Sequence, residues 1–152
     1  MNKRDQIRMS GAEVDAFLRE PHHLQVATIG RDGRPHLVAM WYGFLGDVPA
    51  LWTYGRSQKV VNLRRDPRLT CLAETGRAYD ELRGVELVAN GTILDEMDTV
   101  LEVGRSVFER YMGAFTEQAA ARMERMSAKR VAVRIDVERL VSWDHRKLAA
   151  LG

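Results

Sequence analysis

The residues of this chain that are best suited to chemistry lie between Arg56 and Lys59. Ser57 follows a glycine two positions back and precedes a short amphipathic segment, so it is expected to cap a helix with free amides in its first turn. Arg56 and Lys59 place two cations at this end of the helix, where the helix dipole already favours an anion. The pattern predicts a binding site for a phosphate or a carboxylate. The alternative is a solvated basic turn of helix packed on a sheet.

A second group of candidates lies in the apolar segment 36–45. Apolar residues occupy successive positions on both sides of this segment, which predicts one strand that is covered on both faces. A flat apolar ring could pack against residues 38–41 while their backbone groups bond its polar edge. The alternative is that these side chains belong to the core. The four candidates are Val38, Ala39, Met40 and Trp41.

Side chains that would serve other chemistries do not form a recognisable set. The sequence contains no Gly-x-Ser-x-Gly elbow and no glycine-rich phosphate loop of the usual patterns. His22 and His23 are adjacent and would face opposite ways on a strand, and His36 and His145 do not complete a metal set with them. We therefore expect neither a hydrolase nor a metal site.

Composition places further bounds on function. The 152 residues suffice for one domain, 1–152, and 23 basic against 21 acidic residues give a net charge of +2, too small to predict a nucleic-acid partner. The surplus of cations is local, within residues 56–68. Cys71 is a single cysteine in an apolar run, which fits buried filler in a reducing cytoplasm. No apolar run approaches the ~18 residues of a membrane span, and no signal peptide is expected.

Hydrophobic periodicity and turn residues divide the chain into strands and helices. Six strands are predicted at 24–29, 36–45, 49–54, 69–73, 84–94 and 131–137. Helices are predicted at 10–20, 57–66, 97–111 and 116–126. Hairpin connections with one late returning strand predict a mainly β protein, a small six-stranded antiparallel barrel with peripheral helices.

Four segments of this chain resemble the pyridoxamine 5'-phosphate oxidase-like (PPOX) flavin split-barrel superfamily. They are residues 36–42, 57–68, 82–86 and 142–148. Together they resemble its actinobacterial branch, which uses the deazaflavin coenzyme F420. The substrate-phosphate arginine and histidine of the oxidase itself are not matched near the C-terminal end, so pyridoxamine phosphate is not the expected substrate.

The resemblance implies a split barrel that forms a homodimer with cofactor sites at its interface. It implies that residues 38–41 back the deazaflavin ring. It also implies that five residues in and around the start of the helix predicted at 57–66 bind the cofactor, and that three of these five hold its phosphate. The phosphate ligands are Arg56, Ser57 and Lys59, and Gln58 and Asn62 complete the set.

The function implied is an F420-dependent oxidoreductase that reduces small conjugated molecules by hydride transfer. The cofactor carries the chemistry in such families, so no side chain is expected to be an obligate catalyst, and His36 is the one candidate proton donor. The alternatives are the same fold using FMN, or a flavin or haem carrier without turnover.

Overall fold

The computed structural model describes residues 1–151, and one seven-stranded antiparallel sheet forms its centre. The strands are β1 (Leu24–Ile29), β2 (Pro35–Met40), β3 (Gly43–Leu45), β4 (Val48–Tyr54), β5 (Arg68–Thr75), β6 (Arg83–Leu94) and β7 (Arg130–Asp144). The helices are α1 (Lys3–Gln6), α2 (Gly11–Arg19), α3 (Gln58–Arg65), α4 (Met97–Tyr111) and α5 (Glu117–Ser127), with short 3₁₀ helices at Tyr79–Glu81 and His145–Leu151.

The order of the strands shows how the sheet closes. It runs β2-β1-β5-β6-β7-β4-β3, so β2 and β3 form its two opposite edges. Along the chain, however, these edges are separated by Trp41 and Tyr42 alone. The sheet must therefore curl until its edges meet at this point, although β2 and β3 do not pair. The result is a barrel that is open along one seam, as the predicted split barrel requires.

The predicted number of six strands is wrong, because the segment 36–45 forms two strands instead of one. Tyr42 is completely buried, and its hydroxyl donates to the Leu18 carbonyl at 2.6 Å. Arg110 of α4 donates to the carbonyl of Tyr42 at 3.0 Å. Because of these contacts with α2 and α4, the chain stops pairing with β1 after Met40 and continues as β3 at the opposite edge of the sheet.

The prediction that this segment is covered on both faces is also wrong for the single chain, in which one face of β2 is exposed. Along β2 the half-buried residues alternate with exposed ones, and Leu37 is 65% exposed and Trp41 43% exposed. Val38 and Met40 pack against the barrel core, whereas the row that contains Leu37, Ala39 and Trp41 faces outward.

Helices α3 and α4 pack against particular strands of the sheet. The predicted capping box of α2 is present, with Ser10 accepting from the Glu13 amide and Glu13 accepting from the Ser10 amide. Helix α3 packs on β1 and β6, and α4 packs on β3 and β4. A side chain at Gly104 of α4 would lie 2.9 Å from the Trp52 ring nitrogen, so this glycine permits the close approach of α4 to β4. Strand β7 continues the predicted strand 131–137 as far as Asp144.

Candidate functional site

The start of α3 is built as the sequence predicted, with one difference at Ser57. Strand β4 ends at Tyr54, and the Gly55 amide donates to the Lys129 carbonyl at 3.0 Å. Ser57 has the extended backbone of an N-cap, with φ −65° and ψ 155°, but its hydroxyl does not cap the helix. The Ser57 Oγ is buried and finds no hydrogen-bond partner among the residues that the structure describes. A buried polar group without a partner is unusual in a folded protein, and a ligand oxygen is one group that would satisfy it.

Two cations, Arg56 and Lys59, lie within two residues of Ser57 in the sequence. The Nζ atom of Lys59 donates to Thr53 Oγ1 at 2.9 Å, which places the ammonium over the end of β4. Burial lowers the pKa of Lys59, and the positive charge of Arg130 lowers that pKa further. Arg56 is exposed, and no ion pair of Arg56 or Lys59 occurs within residues 1–151. An anion at this helix end would offset charges that the protein itself leaves unpaired.

Gln58 and Asn62 form hydrogen bonds within α3 and between α3 and the sheet. Gln58 Nε2 donates to Asn62 Oδ1 at 2.8 Å, and Asn62 Nδ2 donates to Thr28 Oγ1 of β1 at 3.0 Å. Asn62 is completely buried. It therefore connects α3 to β1 and positions this helix, and its assignment as a cofactor contact stays a prediction. Gln58 is exposed at the helix start, with its amide engaged by Asn62.

The four residues that were expected to back a ring do not share one face. Val38 and Met40 face the barrel, whereas Ala39 and Trp41 face outward. The backbone of β2 is better placed than these side chains to bind a ligand. One side of β2 pairs with β1, and its other side is an edge of the sheet. An edge strand presents free N–H and C=O groups. These groups could bond the polar rim of a flat ring, as the sequence predicted.

Trp41 is held in place by an aromatic neighbour from α4. Its ring stacks on Tyr111 with a centroid separation of 4.8 Å and an interplanar angle of 4°. Tyr111 is fixed in turn, because its hydroxyl donates to the His22 carbonyl at 2.5 Å. The exposed indole therefore has a defined orientation at the seam between β2 and β3.

Sequence reasoning missed Arg130, the first residue of β7. Its guanidinium lies 4.0 Å from the Trp52 ring centroid and 4.1 Å from that of Tyr54. Burial lowers the pKa of Arg130, and its Nε is buried without a partner in the described chain. Arg130 pairs with Tyr54 across β4 and β7. No local signal in the sequence marks this residue, because the long-range pairing of the two strands creates its environment.

A cavity of about 300 Å³ opens beside Arg130, between the sheet and helices α4 and α5, and is called here the α4–α5 cavity. Its lining is mostly apolar and includes four methionines. The lining residues are Met40, Trp41, Trp52, Gly104, Val107, Phe108, Met112, Ala119, Arg122, Met123, Met126 and Arg130. The two arginines are the only charged residues in this lining.

The other side chains that could take part in chemistry are His36, Cys71 and possible metal ligands. His36 is half-buried opposite Thr28, and its Nδ1 atom is buried with no partner in the described part of the chain. Burial raises the pKa of the Cys71 thiol to about 12, so a thiolate nucleophile is not available there. Within residues 1–151 no cluster of three or more His, Cys, Asp or Glu side chains could hold a metal ion. No helix in this range has the length and apolar character to cross a membrane.

Comparisons with known proteins agree with this architecture. The family model described as pyridoxamine 5'-phosphate oxidase matches residues 10–144. An F420H(2)-dependent biliverdin reductase of Mycobacterium tuberculosis is 27% identical over 128 residues, covering 83% of this chain and 82% of that protein.

Two solved structures illustrate the range of the fold. The conserved hypothetical protein Rv2991 of M. tuberculosis has a TM-score of 0.93 and 46% identity, covering 98% of this chain and 93% of that one. The heme storage protein HutZ of Vibrio cholerae has a TM-score of 0.67 and 16% identity, covering 87% of this chain and 94% of its own. The second similarity concerns the fold alone.

Proposed function

The chain belongs to the pyridoxamine 5'-phosphate oxidase family, and from this premise we propose that it is an oxidoreductase with a flavin or deazaflavin cofactor. The cofactor proposed is F420 and the reaction is the reduction of small conjugated molecules. The F420H(2)-dependent biliverdin reductase supports F420 over FMN, because it is similar over most of both chains.

The observation that carries this proposal is the unpaired Ser57 hydroxyl at the start of α3. It lies at the end of a helix that already favours an anion, and Arg56 and Lys59 flank it without acidic partners in the described residues. Both F420 and FMN carry a phosphate that this site could hold. The donors present thus fit the phosphorylated end of either cofactor.

The free edge of β2 supports the position of the ring. From the phosphate site the ring would extend toward residues 38–41, whose backbone can bond its polar rim. When bound in its reduced form, the cofactor would supply a hydride, and solvent would supply the accompanying proton. The chain's own part is to hold the ring and to orient the acceptor beside it.

A titration with matched ligands tests the proposal. Purified protein is titrated with F420 and with FMN, and each is paired with its own analogue that lacks the phosphate. We expect F420 to bind more tightly than FMN, and the loss of the phosphate to cost about 1.5–3 kcal/mol, the range of hydrogen bonds to charged groups. Equal affinity with and without the phosphate would refute the anion site.

Turnover distinguishes an enzyme from a carrier. Reduced F420 should be consumed when a conjugated acceptor is added, whereas a flavin or haem carrier would bind its ligand and consume nothing. Tighter binding of FMN than of F420, with consumption of reduced flavin, would identify the FMN-dependent alternative.

We also propose a homodimer with the cofactor at its interface. Two exposed apolar residues, Leu37 of β2 and Trp41 directly after it, support this assembly, because they lie beside the proposed ring position. A cytoplasmic location stays a prediction that rests on the single buried cysteine.

A further inference from the structure

The α4–α5 cavity combines an adaptable apolar wall with a fixed positive charge. Four of its lining residues are methionines, and Trp52 and Phe108 add aromatic surface. Methionine side chains are flexible and polarisable, so such a wall accommodates flat rings of different outline. A cavity of about 300 Å³ has the size of a small-molecule site.

The charge of this cavity has one sign. Arg122 and Arg130 contribute to the lining, and no acidic residue does. Arg130 lies between two aromatic rings, and within the described chain it makes no ion pair. Charge complementarity therefore favours an anionic occupant over a neutral or cationic one.

Two residues that line this cavity each carry a buried donor without an acceptor. Arg130 Nε and Trp52 Nε1 are both buried and lack a hydrogen-bond partner in residues 1–151, and both residues line the cavity. Buried donors are normally paired, so unpaired donors beside a cavity call for a ligand acceptor. The oxygens of an organic acid would satisfy them.

We propose that the α4–α5 cavity binds a flat, apolar organic anion, an aromatic or conjugated acid, with its charged group at Arg130 and its body against the methionines. This inference rests on the proposed function in one respect, because it identifies such acids as the substrate class of the reductase. Met40 and Trp41 belong both to the cavity lining and to the segment proposed to back the cofactor ring. A molecule in the cavity would thus lie next to that ring.

A pair of fluorescent probes tests the binding class without any cofactor. Anilinonaphthalene sulfonate carries a flat apolar body with an anionic group, and phenylnaphthylamine is the same molecule without the sulfonate. A purely apolar cavity would prefer the neutral probe. We expect the anionic probe to bind more tightly by about tenfold, the scale of one charge-assisted hydrogen bond.

Variants then locate the probe. Ala119 lines the cavity, so Ala119→Phe should fill it and reduce the affinity of both probes by about tenfold or more, since the buried contact area is lost. Ala121 is exposed on the same helix outside the cavity, and Ala121→Phe is the matched control with unchanged affinity. Arg130→Gln should remove the preference for the anion and leave the neutral probe unaffected.

Arg122→Gln provides a second measurement if Arg130→Gln does not fold. Arg122 is exposed, so its loss should weaken the anionic probe by about twofold to fivefold, and this effect should disappear at high salt. Arg125→Gln, on the same helix but outside the cavity, is its control.

The outcomes separate this inference from the proposed function. Tighter binding of the neutral probe, or equal effects of Ala119→Phe and Ala121→Phe, would overturn the assignment of the cavity. A loss of F420 affinity in Ala119→Phe, with the probes unaffected, would assign the cavity to the cofactor and would also overturn it. If the anionic probe binds as expected but neither F420 nor FMN binds the unmodified protein, the cavity is an acid-binding site and the proposed function fails.

Discussion

Lys59 is the residue on which the proposed anion site depends most. Its ammonium is held over the end of β4 by Thr53, and no carboxylate pairs with it in the described chain. We expect Lys59→Ala to weaken binding of the phosphorylated cofactor by about 1.5–3 kcal/mol, the range for a hydrogen bond to a charged group. Arg64→Ala on the same helix is the control, because Arg64 is exposed and should change affinity little. An unchanged dissociation constant in Lys59→Ala, measured by fluorescence titration, would remove Lys59 from the site.

The same residue predicts how binding depends on pH. Burial lowers the pKa of Lys59 in the free protein below its ordinary value, and a bound anion would raise that pKa again. Binding is then linked to protonation of Lys59, so affinity falls as pH rises through the lowered pKa. The fall should be seen in titrations at a lower pH than the range in which an exposed lysine loses its proton. Lys59→Arg, which keeps its charge over this range, should show a flat profile.

His36 allows a test of whether the chain supplies a proton. Its Nδ1 atom is buried without a partner in the described residues, and His36 is the second residue of the strand that is proposed to back the ring. General acid catalysis typically contributes about 10²–10⁴-fold. If solvent supplies the proton, His36→Ala should lower kcat by less than about tenfold, with cofactor affinity unchanged. A loss within the general-acid range would identify His36 as a catalytic acid.

The site residues that could be predicted are those whose environment is local in sequence. Ser57 and Lys59 lie within one turn of the helix start, so their position at the start of α3 follows from the sequence alone. Arg130 was missed because the pairing of β7 with β4 brings it to Trp52 and Tyr54. The burial of Asn62 was not predicted, because the sequence does not tell which side of a short polar helix meets the barrel.

At the scale of elements, the break between β2 and β3 is the feature that the sequence concealed. The run of apolar residues on both sides of the segment continues through 41–42, so the sequence pattern alone predicts one strand. Contacts of Tyr42 with α2 and α4 end that strand instead. Helices α2 to α5, by contrast, were predicted, since features such as the capping box of Ser10 and the spacing in α4 are local signals, whereas α1 was not predicted.

Asn62 connects the site to the barrel at this same scale. Its side chain bonds Gln58 within α3 and Thr28 in β1, and it is fully buried. We expect Asn62→Ala to reduce the free energy of unfolding by about 1–3 kcal/mol, the cost of leaving buried polar partners unpaired. Urea denaturation would measure this loss. Val61→Ala is the control, because Val61 is 47% exposed and its change should have a small effect. Equal stability of the two variants would contradict the positioning role of Asn62.

At the scale of the whole molecule, the chain exposes more surface than a monomer of its mass normally does. A compact monomer of 17.3 kDa exposes about 7800 Å² by the general scaling of surface with mass, whereas this chain exposes 9211 Å². The difference exceeds the roughly 800 Å² that each partner buries in a standard interface. Part of this surface is the outward row of β2, where the open seam leaves an edge strand uncovered.

These features lead to the prediction that the protein is a dimer in solution. Light scattering at micromolar concentration should give about twice the chain mass of 17.3 kDa. Leu37 is 65% exposed on the outer face of β2, and Leu37→Glu would place a charge in the proposed apolar interface. That variant should keep the circular dichroism of the unmodified protein but have the mass of one chain, and its F420 affinity should fall if the interface completes the site. Met97→Glu changes an apolar residue that is 45% exposed at the start of α4, and it should remain dimeric. A mass of one chain for the unmodified protein would contradict both the dimer and the assignment of the outward row of β2 to its interface.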